Sequence, residues 1–361
     1  MLNRLNALRR KLEIEGIDGI LIGYPCNRRY ITGFTGSAGW VIVTQTRAVL
    51  AVDFRYVEQA RSESPAFEIS YITSDVSEWL PSCLLDLGII KLGIEVDHMT
   101  VSQYQAIIKA LREKAGLVQI IQTTDMVESL RIIKDAGELT CIAKACDIAD
   151  LAVTYIRSHL RTGITEKQFA WELESFIRQH ESGLMPFDII VASGTNAALP
   201  HARPGEKMIG EGEPIVIDLG ASYHGYCSDM TRTFIIGKED NTFNNIYNIV
   251  LSAQNAGLTL IKPEMECSAA DGLVRSMISN AGYGENFGHG LGHGVGLETH
   301  EAPRLGTRSS DKLQEGMVFT VEPGIYIPGW GGVRIEDTVT IKDNKIICLT
   351  KSDKNALISG G

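Results

Sequence analysis

Nowhere does the 361-residue chain run to about 18 consecutive apolar residues, the length a membrane-spanning helix requires. Its opening, Met1-Leu2-Asn3-Arg4-Leu5, begins a charged amphipathic helix and lacks the layout of a signal peptide. Together these absences predict a cytoplasmic protein with no membrane partner. Clustered basic charge is missing too: 34 Lys and Arg face 44 Asp and Glu, giving a net charge of −10 with no long Lys/Arg run, which argues against nucleic acid as a partner. Seven cysteines (Cys26, Cys83, Cys141, Cys146, Cys227, Cys267 and Cys348) are odd in number and scattered. They form neither a zinc ribbon nor a disulfide framework and read as reduced thiols, with Cys227 a small packed side chain. What is present is an ordinary globular composition, 44% hydrophobic, long enough for a large core and two domains.

The first third alternates helix and strand. An apolar-periodic helix through Leu5, Leu8 and Leu12 precedes strands at 19–22, 40–43, 48–52, 67–72, 91–96 and 118–122, with helices after Asp53, near 76–87 and near 101–115. This is a small α/β domain over 1–125, and the alternation stops around Thr123-Thr124-Asp125. A second domain over 126–361 opens with a long helix carrying Cys141, Ile142, Ala145, Ile148, Ala149, Ala152 and Tyr155 on one face. Another helix starts at Thr165, where Gln168 completes a capping box. Helices near 243–261 and 268–281 and two hairpins follow, so the second domain is α+β with helices flanking antiparallel sheet. Two helix-and-hairpin halves suggest an internal pseudo-twofold.

Each hairpin carries an acidic pair. In the first, Asp218 ends an apolar strand and Asp229 follows the turn, and a midpoint between Tyr223 and His224 places the two carboxylates face to face. In the second, Glu322 and Glu336 are symmetric about Gly329. Like charges opposed on a sheet repel, so a cation is expected between them. One such acid alone reads as a solvated strand end; two mirrored pairs with a histidine between them do not.

That histidine is His293, in Gly288-His289-Gly290-Leu291-Gly292-His293-Gly294-Val295-Gly296-Leu297-Glu298-Thr299-His300. The glycines disfavour helix and let backbone approach a ligand, yet the segment lacks the spacing of a phosphate-binding loop. Four carboxylates and an imidazole suit two divalent ions, Mn²⁺ for the oxygen donors with Co²⁺ or Zn²⁺ admitted by the imidazole, held about 3.5–4 Å apart. His201, in a turn-rich stretch before the first hairpin, reads locally as a surface residue.

These five residues lie within Gly225-Tyr226-Cys227-Ser228-Asp229-Met230-Thr231-Arg232-Thr233, Gly292-His293-Gly294-Val295-Gly296 and Val321-Glu322-Pro323-Gly324-Ile325-Tyr326, with Asp218 ahead of them. In these motifs the chain resembles the pita-bread metallopeptidases, specifically the Xaa-Pro aminopeptidase and prolidase branch. Tyr30–Ser37 resembles that branch's creatinase-like N-terminal domain, and Arg131-Ile132-Ile133-Lys134 its catalytic-domain opening. The resemblance implies a metal-dependent hydrolase acting on short proline-containing peptides. It implies that Asp229 and Glu336 bridge the metals, Asp218 completes one site, and His293 with Glu322 completes the other. It further implies that Glu322 shuttles a proton to the proline nitrogen, that His300 stabilises the developing oxyanion, and that His201 and His289 hold the proline side. Arg334, on the strand face of Glu336, would orient carboxylates. A homodimer is implied as well. The Thr32–Gly39 segment favours an aminopeptidase, with a strict Xaa-Pro dipeptidase as the alternative and a non-catalytic peptide-binding relative further off.

Overall fold

The computed structural model describes residues 2–73, 75–238 and 240–358. It divides into two compact units, Met1–Arg131 and Ile132–Gly361. In the first, six strands form one mixed sheet in the order Glu68–Tyr71, Ala48–Val52, Trp40–Thr44, Gly19–Ile22, Lys91–Glu95, Gln119–Thr123. The three central strands from Gly19 to Val52 pair antiparallel as a meander, and the outer pairings are parallel. Leu80, Leu84, Ile107 and Leu111, from two helices, pack on Leu21, Ile42, Leu92 and Ile94 of the sheet.

One helix of this unit, Pro25–Thr32, has no apolar periodicity in sequence because it buries polar side chains, Asn27 and Arg28. Pro25 presets its first turn, and Gly33, at φ 78°, ends it in the left-handed region. The unit also continues past Asp125. The Tyr30 hydroxyl donates to the Leu130 carbonyl at 2.7 Å and Arg131 donates to Asn27 Oδ1 at 2.8 Å, which ties the short helix Glu128–Arg131 to the first unit.

The second unit repeats one layout. Helices Ala136–His159 and Glu166–Gln179 both carry capping boxes, at Asp135/Glu138 and at the expected Thr165/Gln168. Their apolar faces, including Val153, Ile156, Phe169 and Leu173, bury against Val191, Ile217, Met230 and Phe234 of a four-stranded sheet. That sheet runs Leu357–Ile358, Met230–Ile236, Ile215–Leu219, Ile190–Ser193. Helices Asn241–Leu260 and Cys267–Asn280 likewise place Phe243, Val250, Val274 and Ile278 on Phe319, Val321 and Val339. These belong to a five-stranded sheet ordered Glu301–Leu305, Gly292–Gly294, Val318–Val321, Asp337–Lys342, Lys345–Cys348. Each such fully buried Phe or Val contributes about 1.5–3 kcal/mol, so the two sheets are rigid supports for whatever their ends carry. Among the described residues no helix is long and apolar enough to cross a membrane.

Candidate metal centre

The first hairpin turns through His224 and Gly225, both with positive φ (47° and 78°), so Tyr223 pairs with Tyr226. A two-residue turn of this kind needs positive φ at both central positions, and it therefore centres between His224 and Gly225. The register shifts accordingly: Thr231, not Asp229, lies opposite Asp218. The expected face-to-face pairing of Asp218 and Asp229 is thus corrected to a diagonal one. Asp229 has left the ladder; its N–H donates to Thr338 Oγ1 at 3.3 Å, and that hydroxyl donates to the Asp229 carbonyl at 2.7 Å.

The second hairpin keeps its expected register. Gly324 pairs with Arg334, and beyond a gap Val321 pairs with Asp337, so Glu322 and Glu336 face each other where the ladder is broken. Pro323, in the gap, has no N–H to give. The two glutamates are instead tied elsewhere by their own N–H groups, Glu322 to the Leu291 carbonyl at 2.9 Å and Glu336 to the Thr231 carbonyl at 3.1 Å. One is thereby drawn toward the histidine strand and the other toward the Asp218 hairpin.

His293 sits in the strand Gly292–Gly294, which pairs with Val318–Val321 through Gly294 and Phe319. A Cβ on Gly292 would lie 2.0 Å from the Thr320 carbonyl, so only glycine permits this approach. The Nδ1 of His293 lies 3.1 Å from the Gly294 carbonyl, which places the ring proton there and turns the Nε2 lone pair toward Asp229 Oδ2 (3.5 Å) and Glu322 Oε1 (3.4 Å). Donor atoms of Asp229, His293 and Glu336 all fall within 4.8 Å of one another. Asp218 Oδ2 accepts from Arg334 at 2.8 Å, whereas its buried Oδ1 has no protein partner.

Burial, followed by the charges of neighbouring carboxylates, pushes Asp229 and Glu336 well above the usual carboxylate range. Burial pushes Glu322 up to about 7 against the pull of Arg334. Burial and the adjacent His300 bring His293 down to about 4, leaving it neutral and able to ligate. An orphaned carboxylate oxygen, four crowded acids and a neutral imidazole form a donor set that fits divalent cations.

Two threonines orient the acids. Thr231 Oγ1 accepts from Arg334 Nε at 3.0 Å and donates to Glu336 Oε2 at 2.6 Å. Thr320 Oγ1 accepts from the His293 N–H at 3.0 Å and donates to Glu322 Oε1 at 3.0 Å. Arg334 also donates to the Tyr326 hydroxyl at 2.9 Å and the Pro200 carbonyl at 3.3 Å. Tyr326 in turn lies 2.9 Å from His289 Nε2. Burial and the Arg334 charge bring His289 down to about 4, so it stays neutral. The rings of His293 and His300 are 4.1 Å apart.

A cavity of about 630 Å³ is lined by all nine residues singled out in the sequence: His201, Asp218, Asp229, His289, His293, His300, Glu322, Arg334 and Glu336. Sequence reasoning missed Thr320, Tyr326 and Arg304. The first two follow the every-second-residue spacing of Glu322 and Gly324, from the strand Val318–Val321 across the break into the strand Gly324–Ile327, a spacing that could have marked them; Arg304 carries no local signal. Cys227 packs with Ile142, Cys146, Tyr226, Val295 and Val318, as a small core residue does.

The pattern of metallopeptidase family M24 matches residues 140–343, and that of the creatinase/prolidase N-terminal domain matches residues 4–133. The chain is 38% identical over 359 residues to an Xaa-Pro dipeptidase of Pyrococcus furiosus, covering 99% of this chain and 100% of that protein. Its structure matches an Xaa-Pro dipeptidase from Bacillus anthracis with a TM-score of 0.95, 44% identity and 99% of each chain covered. It matches an X-Pro aminopeptidase from Thermotoga maritima with a TM-score of 0.89, 36% identity, and 97% of this chain and 99% of that one covered. The chain therefore belongs to metallopeptidase family M24, with a creatinase/prolidase N-terminal domain ahead of a pita-bread catalytic domain. Within the family it falls in the Xaa-Pro peptidase branch, as its sequence motifs led us to expect, and is a metallopeptidase of a family that uses divalent ions.

Proposed function

We propose that this enzyme is an Xaa-Pro dipeptidase, a prolidase, in which Asp218, Asp229, His293, Glu322 and Glu336 hold two divalent cations, Mn²⁺ being the best match to the oxygen-rich donor set. The observation that carries this reading is full-length likeness to Xaa-Pro dipeptidases at 38% and 44% identity, which favours the dipeptidase over the aminopeptidase expected from Thr32–Gly39. The cavity wall adds a chemical reason. A dipeptide presents a carboxylate immediately after proline, and Arg304 lines the cavity with a guanidinium suited to bidentate pairing with it. A longer peptide has an amide there and forfeits that pair.

Bound cations would supply Lewis-acid activation of water and of the scissile carbonyl. Glu322, lining the cavity beside the proposed cations, takes a proton from the attacking water and returns it to the proline nitrogen. Thr320 donates to one oxygen of that carboxylate and so fixes its orientation. His300 donates to the oxyanion as it develops, while His289, braced by Tyr326, and His201 flank the proline side. Proline has no N–H and a fixed φ, so apolar wall residues such as Phe187, Ile190 and Leu305 take the place of backbone hydrogen bonding in gripping the ring.

The test is to incubate Mn²⁺-loaded protein with Ala-Pro and Ala-Pro-Ala and follow free alanine by mass spectrometry. Release from the dipeptide alone is expected. Release from the tripeptide as well would make it an aminopeptidase, and release from neither would overturn the peptidase reading for these substrates.

A further inference from the structure

Glu166, the first residue of helix Glu166–Gln179, has no solvent exposure although it is a carboxylate. Helix capping does not require this, because Thr165 and Gln168 already cap the helix. Its oxygens instead reach across to the loop that bears His201. Oε1 accepts from the Ser193 N–H at 2.7 Å, the Ser193 hydroxyl at 2.9 Å and Asn196 Nδ2 at 3.1 Å, while Oε2 accepts from Asn196 Nδ2 at 3.1 Å and the Gly205 N–H at 3.3 Å. Ser193 and Asn196 enter the loop and Gly205 leaves it, so one carboxylate holds both ends of an excursion whose tip is Pro200-His201-Ala202. The backbone closes the same junction through Lys167 N–H to the Gly205 carbonyl at 3.0 Å. At the tip, the Pro200 carbonyl accepts from Arg334, which also binds Asp218.

We propose that Glu166 is a positioning residue for His201, fixing the loop ends so that the exposed imidazole is presented to the proline side of the substrate; this rests on the Xaa-Pro reading above. A buried carboxylate with five hydrogen bonds from four donor groups has one stable arrangement. Ala197 and Ala202 bury against Ala192 and Val216, and the exposed imidazole between those two anchor points keeps many. Loss of the clamp would let His201 drift, and a displacement of about 1 Å at a binding group costs up to ~100-fold in rate.

The test is a cycle of wild type, Glu166→Gln, His201→Ala and the double variant, assayed on Ala-Pro with matched metal content. Gln keeps the size but places an amide NH2, a donor, where one carboxylate oxygen accepts. A loss of about tenfold or more in kcat/KM is expected for Glu166→Gln alone, shrinking to under about twofold in the His201→Ala background. An equal loss in both backgrounds, or none in either, overturns the proposal. Asn196→Ala, which removes two of the five bonds, should reproduce the pattern if Glu166→Gln does not fold. Should the wild type leave Ala-Pro intact, the Xaa-Pro reading fails. The clamp is then read from the His201 ring resonance in Zn²⁺-loaded protein, which Glu166→Gln should shift or broaden; an unchanged resonance overturns the clamp itself.

Discussion

Glu322 faces His293 at 3.4 Å, and the proposed mechanism asks the same side chain to exchange a proton. Replacing it with Gln keeps the size and the Thr320 contact but removes the base. Turnover of Ala-Pro should fall by about 10²–10⁴ with substrate binding largely kept. Near-normal turnover at full metal occupancy, measured by elemental analysis, would remove Glu322 from the proton-transfer role. Arg304 poses a question of specificity. Arg304→Ala should cut kcat/KM for Ala-Pro by at least ~10-fold, as loss of a charged hydrogen-bonding pair does, while leaving any slow cleavage of Ala-Pro-Ala unchanged. Equal losses on both peptides would place Arg304 elsewhere in the chemistry. Glu322 was legible in the sequence because its hairpin symmetry and flanking motif are local. Arg304 was not, since it lines the cavity through the folding of the Glu301–Leu305 strand alongside His293.

At the scale of elements, the second hairpin is held at its broken ladder by a buried polar knot one residue beyond Glu336. Asp337 Oδ1 accepts from Arg232 at 2.7 Å and Thr350 at 2.9 Å, and its Oδ2 accepts from Lys354 at 2.7 Å and Gln254 at 2.8 Å. Burial alone would raise this acid, yet the charges of Arg232 and Lys354 outweigh it and hold Asp337 down at about 2. An acid depressed in the folded state contributes its stability above the unfolded value near 4 and loses it as pH falls through the folded value. The contribution is on the order of 2 kcal/mol, present at neutral pH and lost between about pH 4 and pH 2. Asp337→Asn should cost about 3–5 kcal/mol by leaving Arg232 uncompensated. Urea unfolding of chelator-treated protein at neutral pH measures this apart from metal binding; a cost under about 1 kcal/mol would show that the knot is not what braces the hairpin.

At the scale of the molecule, every proposed metal donor lies within Ile132–Gly361 and none within Met1–Arg131. Cation binding should therefore stabilise one unit selectively, by about 2.7 kcal/mol at a free concentration 100 times Kd. Scanning calorimetry with EDTA, and again after adding Mn²⁺ back, should move the transition of the second unit and leave that of the first in place. Trp330, packed on the core of the second unit, and Trp40 and Trp79, packed on that of the first, report the two separately by fluorescence in single-tryptophan variants. Equal shifts in both, or no shift, would count against metal sites confined to the catalytic unit.

Amino-acid order by itself determined which chemistry is available: five metal-type donors in sequence, glycines that let the His293 strand come close, apolar periodicities for the long helices, and caps at Thr165 and Gln168. These are local signals, carried by residues a few positions apart. Tertiary structure alone decided how the donors meet. The positive-φ turn at His224 and Gly225 moved Asp229 off the position opposite Asp218. The N–H groups of Glu322 and Glu336 found carbonyls on strands far away in sequence. Burial of the two helix-backed sheets brought Pro200 to Arg334 and His293 to Glu322. Such pairings depend on the free energy of burying the whole core, which no short window of sequence contains.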